Sequence, residues 1–226
     1  MVTVNPHVYK KLAFKVEDLL PVSLASSFSQ TLVCNPASGI KTLADLTKAA
    51  KGGTRLAYAS GGAGVPGHLA MELLLSTAGI EMEHIPYKGP AAAAQDVIGG
   101  QVPCGFLAGP TVLPHIKSGR LLALAVSGAK RSAVLPDVPT VAEAGYPGYD
   151  ATFLLALFAP SGTPEAIVKA FNLAFVDAMR QPDMAAKLLV TDQSIVASTP
   201  AEAAAQLAAI SKKWGAVSRR INLSLD

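Results

Sequence analysis

The sequence predicts an α/β protein built from parallel strand–helix units. Three observations carry that expectation. Strand-like and helix-like stretches alternate with short connections from residue 31 to residue 126. Half of the 226 residues are hydrophobic and 15% are charged, which excludes a disordered tail or a coiled coil. The run LLALAV (121–126) is near-continuously apolar, as strands buried on both faces are.

Each element has its own signal. TLVC (31–34) reads as a strand, and 42–51 as a helix with Thr42 at the N-cap and Asp45 three residues on. RLAYA (55–59) is a strand leading through glycines into the helix HLAMELLLSTA (68–78), which Gly79 closes. MEHIPY (82–87) is a strand, and PAAAAQDVI (90–98) a helix ended by Gly99 and Gly100. VPCGF (102–106) is a short strand, TVLPHIKSG (111–119) a proline-interrupted helix, and 121–126 the next strand. Residues 127–151 are rich in Pro, Gly and Ala and read as a surface excursion with one short helix capped by Thr140 and Glu143. ATFLLALFAP (151–160) is a strand. A helix follows with Thr163 as N-cap, Pro164 at N1, and Ile167, Phe171, Ala174 and Ala178 as its buried stripe. The last helix has a capping box at Thr199 and Glu202 with Pro200 at N1. Its seam is Ala203, Leu207, Ile210, Trp214 and Val217.

Composition excludes some functions. The net charge is +3 without a basic block, which argues against nucleic-acid binding. No apolar run approaches the ~18 residues of a membrane-spanning helix. Cys34 and Cys104 lie in no C-x-x-C pair and read as buried free thiols, with a disulfide as the alternative. No His or Cys spacing supports a metal site, and no catalytic set or cofactor site emerges. His84 and His115 read as isolated. As given, the N-terminus carries no export signal.

The stretch YASGGAGVPGH (58–68) is the strongest local feature. Gly62, Gly64 and Gly67 are spaced G-x-G-x-x-G between a strand and a helix, the dinucleotide fingerprint. That reading needs an acid at the far end of the next strand, for the ribose. Glu81 and Glu83 fall at its near end, Tyr87 or Lys88 occupies the far end, and Pro66 removes an N–H from the first helical turn. The more general reading is a small-anion cradle of backbone N–H groups at a helix N-terminus. A plain tight turn is the third. His68 follows directly and is either a ligand donor or a capping residue.

Several segments resemble the extracytoplasmic solute receptors of tripartite tricarboxylate transporters, often called Bug receptors. They are YASGGAGVPGHLAMELL, HIPYKGPAAAAQDVIGGQV, LPHIKSGRLLALAVSGAKRSAVLPDVPTVAEAGYPGY, LFAPSGTPEAIVKAFN and the leading NPHVYKKLAFKVEDLLPVSL. The resemblance implies a type II periplasmic-binding-protein-like fold of two α/β domains around a cleft. The first domain is expected to be incomplete (1–32 and 152–226), with 33–151 as domain 2. It implies a periplasmic, non-enzymatic receptor that captures a small carboxylate and delivers it to membrane permease subunits. The loop contacts would be Ser60, Gly61, Gly62, Ala63, Gly64, Val65 and His68, with Tyr87 and Lys88 at the cleft edge and Leu107 making the pocket more apolar. An aromatic or aliphatic acid with one carboxylate is expected over citrate. The family's usual hydroxyl residues are replaced at Val65 and Gly67. The missing part of domain 1 is expected to expose the Ala203–Val217 seam and the strand around 154–158, and so to promote self-association. The alternatives are a binding or scaffold protein that has lost its ligand, and an oxidoreductase using the glycine loop.

Overall fold

The structure, a computed structural model, describes residues 2–53, 55–220 and 222–225. The chain runs α1 (Asn5–Val8), β1 (Leu19–Phe28), β2 (Gln30–Cys34), α2 (Leu43–Lys51), β3 (Ala57–Ser60), α3 (Pro66–Ala78), β4 (Glu83–Pro86), α4 (Pro90–Ile98), β5 (Cys104–Ala108) and α5 (Gly109–Lys117). It continues through β6 (Leu122–Val126), β7 (Phe153–Pro160), α6 (Glu165–Met179), α7 (Pro182–Val190), β8 (Gln193–Ile195) and α8 (Pro200–Arg220). The chain divides into two compact units, one of residues 28–153 and one of residues 1–27 with 154–226.

The 28–153 unit is built on a five-stranded sheet in the order β4-β3-β5-β2-β6. β3 is parallel to β4 and to β5, whereas β2 is antiparallel to both β5 and β6. The expected parallel strand–helix units are present at β3, β4 and β5, while the antiparallel β2 makes the sheet mixed. Its apolar final strand, β6, lies at an edge rather than in the centre. Val126 on that edge is covered by a parallel bridge to Thr140, so burial came from a loop and not from a neighbouring strand. The core on one face gathers Val33, Ala59, Ala93, Ala94, Val97, Val102, Leu107, Val112 and Leu121. At ~25 cal/mol per Å² of apolar surface, such burial is the main term holding helices to the sheet.

Residues 127–151 differ from the reading as a surface excursion with a helix. Thr140 and Glu143 do exchange capping hydrogen bonds, with Glu143 N–H donating to Thr140 Oγ1 at 3.1 Å and Thr140 N–H to Glu143 Oε2 at 2.8 Å. Only turns follow, because Gly145 and Gly148 adopt φ of 114° and 83° and break any helical run. The segment then returns to the core. Tyr149 is buried and donates to the Ala70 carbonyl at 2.7 Å, and Ser127 Oγ donates to the Ala151 carbonyl at 2.9 Å.

The other unit holds a three-stranded sheet in the order β7-β1-β8. α8 starts at the expected capping box, with Thr199 N–H donating to Glu202 Oε2 at 2.8 Å. Its seam is not exposed, contrary to expectation. Ala203, Trp214 and Val217 are buried, and α1 packs on the helix with His7 Nε2 2.9 Å from Ser211 Oγ. α6 differs as well. Pro164 is the N-cap rather than N1, and the buried face is Val168, Asn172 and Met179, one position round from the expected stripe. The helix is apolar on two sides, so periodicity alone could not choose. The Asn172 carboxamide chooses, donating to the Val22 and Ser198 carbonyls at 2.9 Å each. Ile167 and Phe171 are left 58% and 56% exposed, with Leu173, Leu189 and Val190 also outside.

Candidate functional site

Parallel strands β3, β4 and β5 end at one edge of their sheet, and each leads directly into a helix. α3, α4 and α5 therefore present their N-termini side by side at that edge. None of the three has a side-chain cap at its first turn. Helix geometry leaves first-turn N–H groups without intrahelical partners, and the aligned peptide dipoles make such ends attractive to anions. The carboxyl edge of parallel strands is where open α/β sheets take ligands.

A pocket of about 200 Å³ opens there. It is lined by the loops at Gly61 and Val65–Gly67, by Pro90, by Phe106–Ala108 of β5, and by Phe28 and Gln30. Nearly every side chain in it is apolar. Gln30 supplies the hydrogen-bonding side chain: it is 5% exposed, and its amide makes one long bond, Nε2 to the Ser29 carbonyl at 3.4 Å. The register places it there, since Gln30 pairs with Ala108 across the antiparallel ladder.

Gly67 is a glycine for a packing reason. A Cβ there would collide with the Phe106 carbonyl oxygen, so α3 meets β5 by bare backbone. A hydroxyl residue, expected from the resemblance, has no room at this position. Gly62 and Gly64 adopt φ of 140° and 73°, and Gly61 lies so close that a Cβ would stand 3.0 Å from the Pro90 nitrogen. The two loops are joined, with Tyr87 N–H donating to the Ser60 carbonyl and Gly89 N–H to the Gly61 carbonyl, each at 3.0 Å.

Beneath the loop sits a cluster of rings that sequence reading did not bring together. The His68 and His84 imidazoles stack with centroids 4.0 Å apart and planes 7° from parallel, and Tyr58 stacks on His84 at 4.9 Å. His84 is thus not isolated. Its Nε2 lies 2.7 Å from Ser60 Oγ, while that hydroxyl donates to the Gly62 carbonyl at 2.8 Å and accepts from Gly62 N–H at 3.2 Å. With the hydroxyl proton on the carbonyl, His84 is the donor. His68 Nδ1 accepts from Gly64 N–H at 2.9 Å, which puts the ring proton on Nε2, 3.7 Å from Glu72 Oε1. Tyr58 donates to the same carboxylate oxygen at 2.5 Å. Burial, and then the neighbouring His84, lower the His68 pKa to about 4, and burial lowers that of His84. Both rings are neutral at pH 7.

Of the residues singled out in the sequence, Gly61, Val65 and Leu107 line the pocket. Leu107 also belongs to the sheet core. Gly62 and Gly64 shape the loop, and Ala63 is exposed on it. Ser60 and His68 are buried with their polar atoms engaged below the loop. Tyr87 donates to Asp96 Oδ2 at 2.6 Å; burial and then that bond push its phenol up to about 12. Lys88 is exposed. Phe28, Gln30, Pro90 and Phe106 were missed.

Chemically the arrangement offers an apolar pocket with helix N-termini and one carboxamide at its rim. Among the described residues no group of His, Cys, Asp and Glu is arranged to hold a metal ion. The dinucleotide reading finds no acid at the far end of β4. Glu83 is at the near end, facing Arg55 at 3.4 Å.

The tripartite tricarboxylate transporter family receptor domain matches residues 1–223. The chain belongs to that family. Its members are solute receptors rather than enzymes. Protein BugT of Bordetella pertussis is 33% identical over 216 residues, covering 95% of this chain and 66% of that protein. A second relative, from the tcbD-tcbE intergenic region of a Pseudomonas species, is 34% identical over 80% of this chain and 55% of its own length. The chain thus spans about two thirds of the first of these relatives and a little over half of the second. Among solved structures, an R. palustris protein with adipate superposes with a TM-score of 0.88 at 28% identity, covering 99% of this chain and 76% of that one. MatC from Rhodopseudomonas palustris with bound malate gives 0.80 at 27%, covering 96% and 74%. The fold class is accordingly α/β of the periplasmic-binding-protein type.

Proposed function

We propose that this chain is the ligand-capturing part of a periplasmic solute receptor, taking a small carboxylate for delivery to the permease subunits of a tripartite tricarboxylate-type transporter. The observation that carries the reading is the pocket at the N-termini of α3, α4 and α5. Family membership, and relatives solved with adipate and with malate, support the ligand class.

In this reading the 28–153 unit is the receptor's domain 2, and the remaining unit belongs to domain 1. The carboxylate is held by backbone N–H groups of the first turns of α3 and α4 and by those of the loop other than Gly62 and Gly64, whose N–H groups bond Ser60 and His68. Its body rests on Val65, Pro66, Phe106 and Leu107. Gln30 gives one directional hydrogen bond. The apolar lining favours an aliphatic or aromatic acid over citrate, which would bring three charges to a pocket without a cationic side chain among its lining residues. No reaction is part of this function; selectivity comes from shape and a few placed donors. The ring cluster holds the loop in its anion-binding conformation through His68 and Ser60.

A thermal-shift series with small carboxylates, NAD and FAD tests the reading. Stabilisation by carboxylates alone supports it, because a ligand that binds only the folded state raises the unfolding temperature. Stabilisation by a dinucleotide alone points to the oxidoreductase alternative, and a flat response to a scaffold that binds none of them.

A further inference from the structure

Cys34 and Cys104 take no part in the site. They face each other directly across the antiparallel ladder of β2 and β5. Asn35 N–H donates to the Pro103 carbonyl at 2.9 Å, so 35 and 103 form a hydrogen-bonded rung. The 34/104 rung is therefore of the non-hydrogen-bonded kind. Residues in such rungs stand about 4.5 Å apart at Cα and project from the same face of the sheet. That separation falls within the ~4.4–6.8 Å that a disulfide spans. Both residues are fully buried with free thiols, and Cys104 Sγ also lies 4.0 Å from the Ala57 carbonyl. The hydrogen bond with Cys104, and then burial, hold the Cys34 thiol far above its ordinary range.

We propose that Cys34 and Cys104 are a covalent modification site, closing a cross-strand disulfide when the chain folds in an oxidising medium. The oxidant is a disulfide, either glutathione disulfide or an enzyme of the dithiol–disulfide oxidoreductase class. One cysteine thiolate attacks it, forming a mixed disulfide and releasing one oxidant thiol. The second thiolate then displaces the other oxidant thiol. In sum the protein loses two protons and two electrons, and the oxidant disulfide becomes two thiols. The exchange takes place before β2 and β5 close, because thiols buried in the finished sheet are out of reach of the oxidant.

The same ladder carries Gln30 opposite Ala108 at its other end, so the bridge fixes the register of two pocket-forming strands without touching the pocket. The inference stands independently of what the pocket binds.

The test refolds the full chain from denaturant with mixed reduced and oxidised glutathione, then alkylates under denaturing conditions before and after reduction. The expected result is no label before reduction and two labels after it, with a tryptic species joining the Cys34 and Cys104 peptides. The oxidised chain should also unfold at higher urea than the reduced one, since a closed loop constrains the unfolded state. Two labels before reduction would overturn the proposal. So would glutathione held separately on each cysteine, or a bridge joining two different chains.

Discussion

Substituting Phe for His68 keeps a ring against His84 but removes the acceptor beneath the glycine loop. The His68 Nδ1 bond from Gly64 is lost, and an amide left without its partner costs about 1 kcal/mol or more. The larger effect concerns protons. His68 falls from an ordinary value of 6.5 to about 4 because burial disfavours its charged form, with the stacked His84 acting in the same sense. The unfolded chain therefore binds a proton between pH 6.5 and about 4 that the folded chain refuses. The resulting stability is complete above pH 6.5 and is lost as pH falls towards 4. The gap is worth roughly 3 kcal/mol. His84, also lowered, adds in the same direction. The groups facing His68 are His84, the Tyr58 phenol and the Glu72 carboxylate. Urea unfolding at pH 7.5 and pH 4.5 measures the effect. Wild type should lose stability more steeply than His68→Phe, by roughly 2–3 kcal/mol over that interval. Parallel pH profiles would refute the placement of a neutral, buried His68.

Three further outcomes follow from the geometry. Gly67→Ala drives a methyl into the Phe106 carbonyl, which its strand ladder holds in place, and should cost about 1–3 kcal/mol in urea unfolding; an unchanged midpoint would contradict the close approach. Gln30→Leu should weaken carboxylate binding about fivefold, the worth of one hydrogen bond, with the unfolding midpoint nearly unchanged. Its backbone bonds with Ser127 do not depend on the side chain, and unaltered affinity would remove Gln30 from the proposed site. The apolar exposure of Ile167, Phe171, Leu173, Leu189 and Val190 should make the chain self-associate at tens of micromolar. A monodisperse monomer by light scattering would contradict this.

Much of the site-bearing loop was legible because its signals are local. The glycines at 62 and 64 need positive φ, Gly79 closes α3 with φ of 61°, and Thr42 and Asp45 form their capping box. What stayed hidden depends on pairing between distant segments. TLVC looked like one more parallel strand, but β2 runs antiparallel to both neighbours. Only that direction puts Gln30 beside Ala108 and Cys34 beside Cys104. His84 looked isolated because its partners, Ser60 and His68, lie 24 and 16 positions away and meet it through the parallel β3–β4 register. α6 could not declare its buried face, since a buried Asn172 set it against two apolar candidates. Local patterning fixes an element's type, while its neighbours decide its inner face.

In the proposed function the glycine loop and the adjoining helix N-termini hold a small carboxylate. Calorimetric titration of the wild-type chain and of Gly67→Ala with a panel of aliphatic, aromatic and tricarboxylic acids, with NAD as comparison, tests it most directly. The expected result is one-to-one binding of an aliphatic or aromatic acid to wild type, loss of that heat in Gly67→Ala, and none with NAD. Heat from NAD and from no acid, or acid binding that Gly67→Ala leaves untouched, would contradict it.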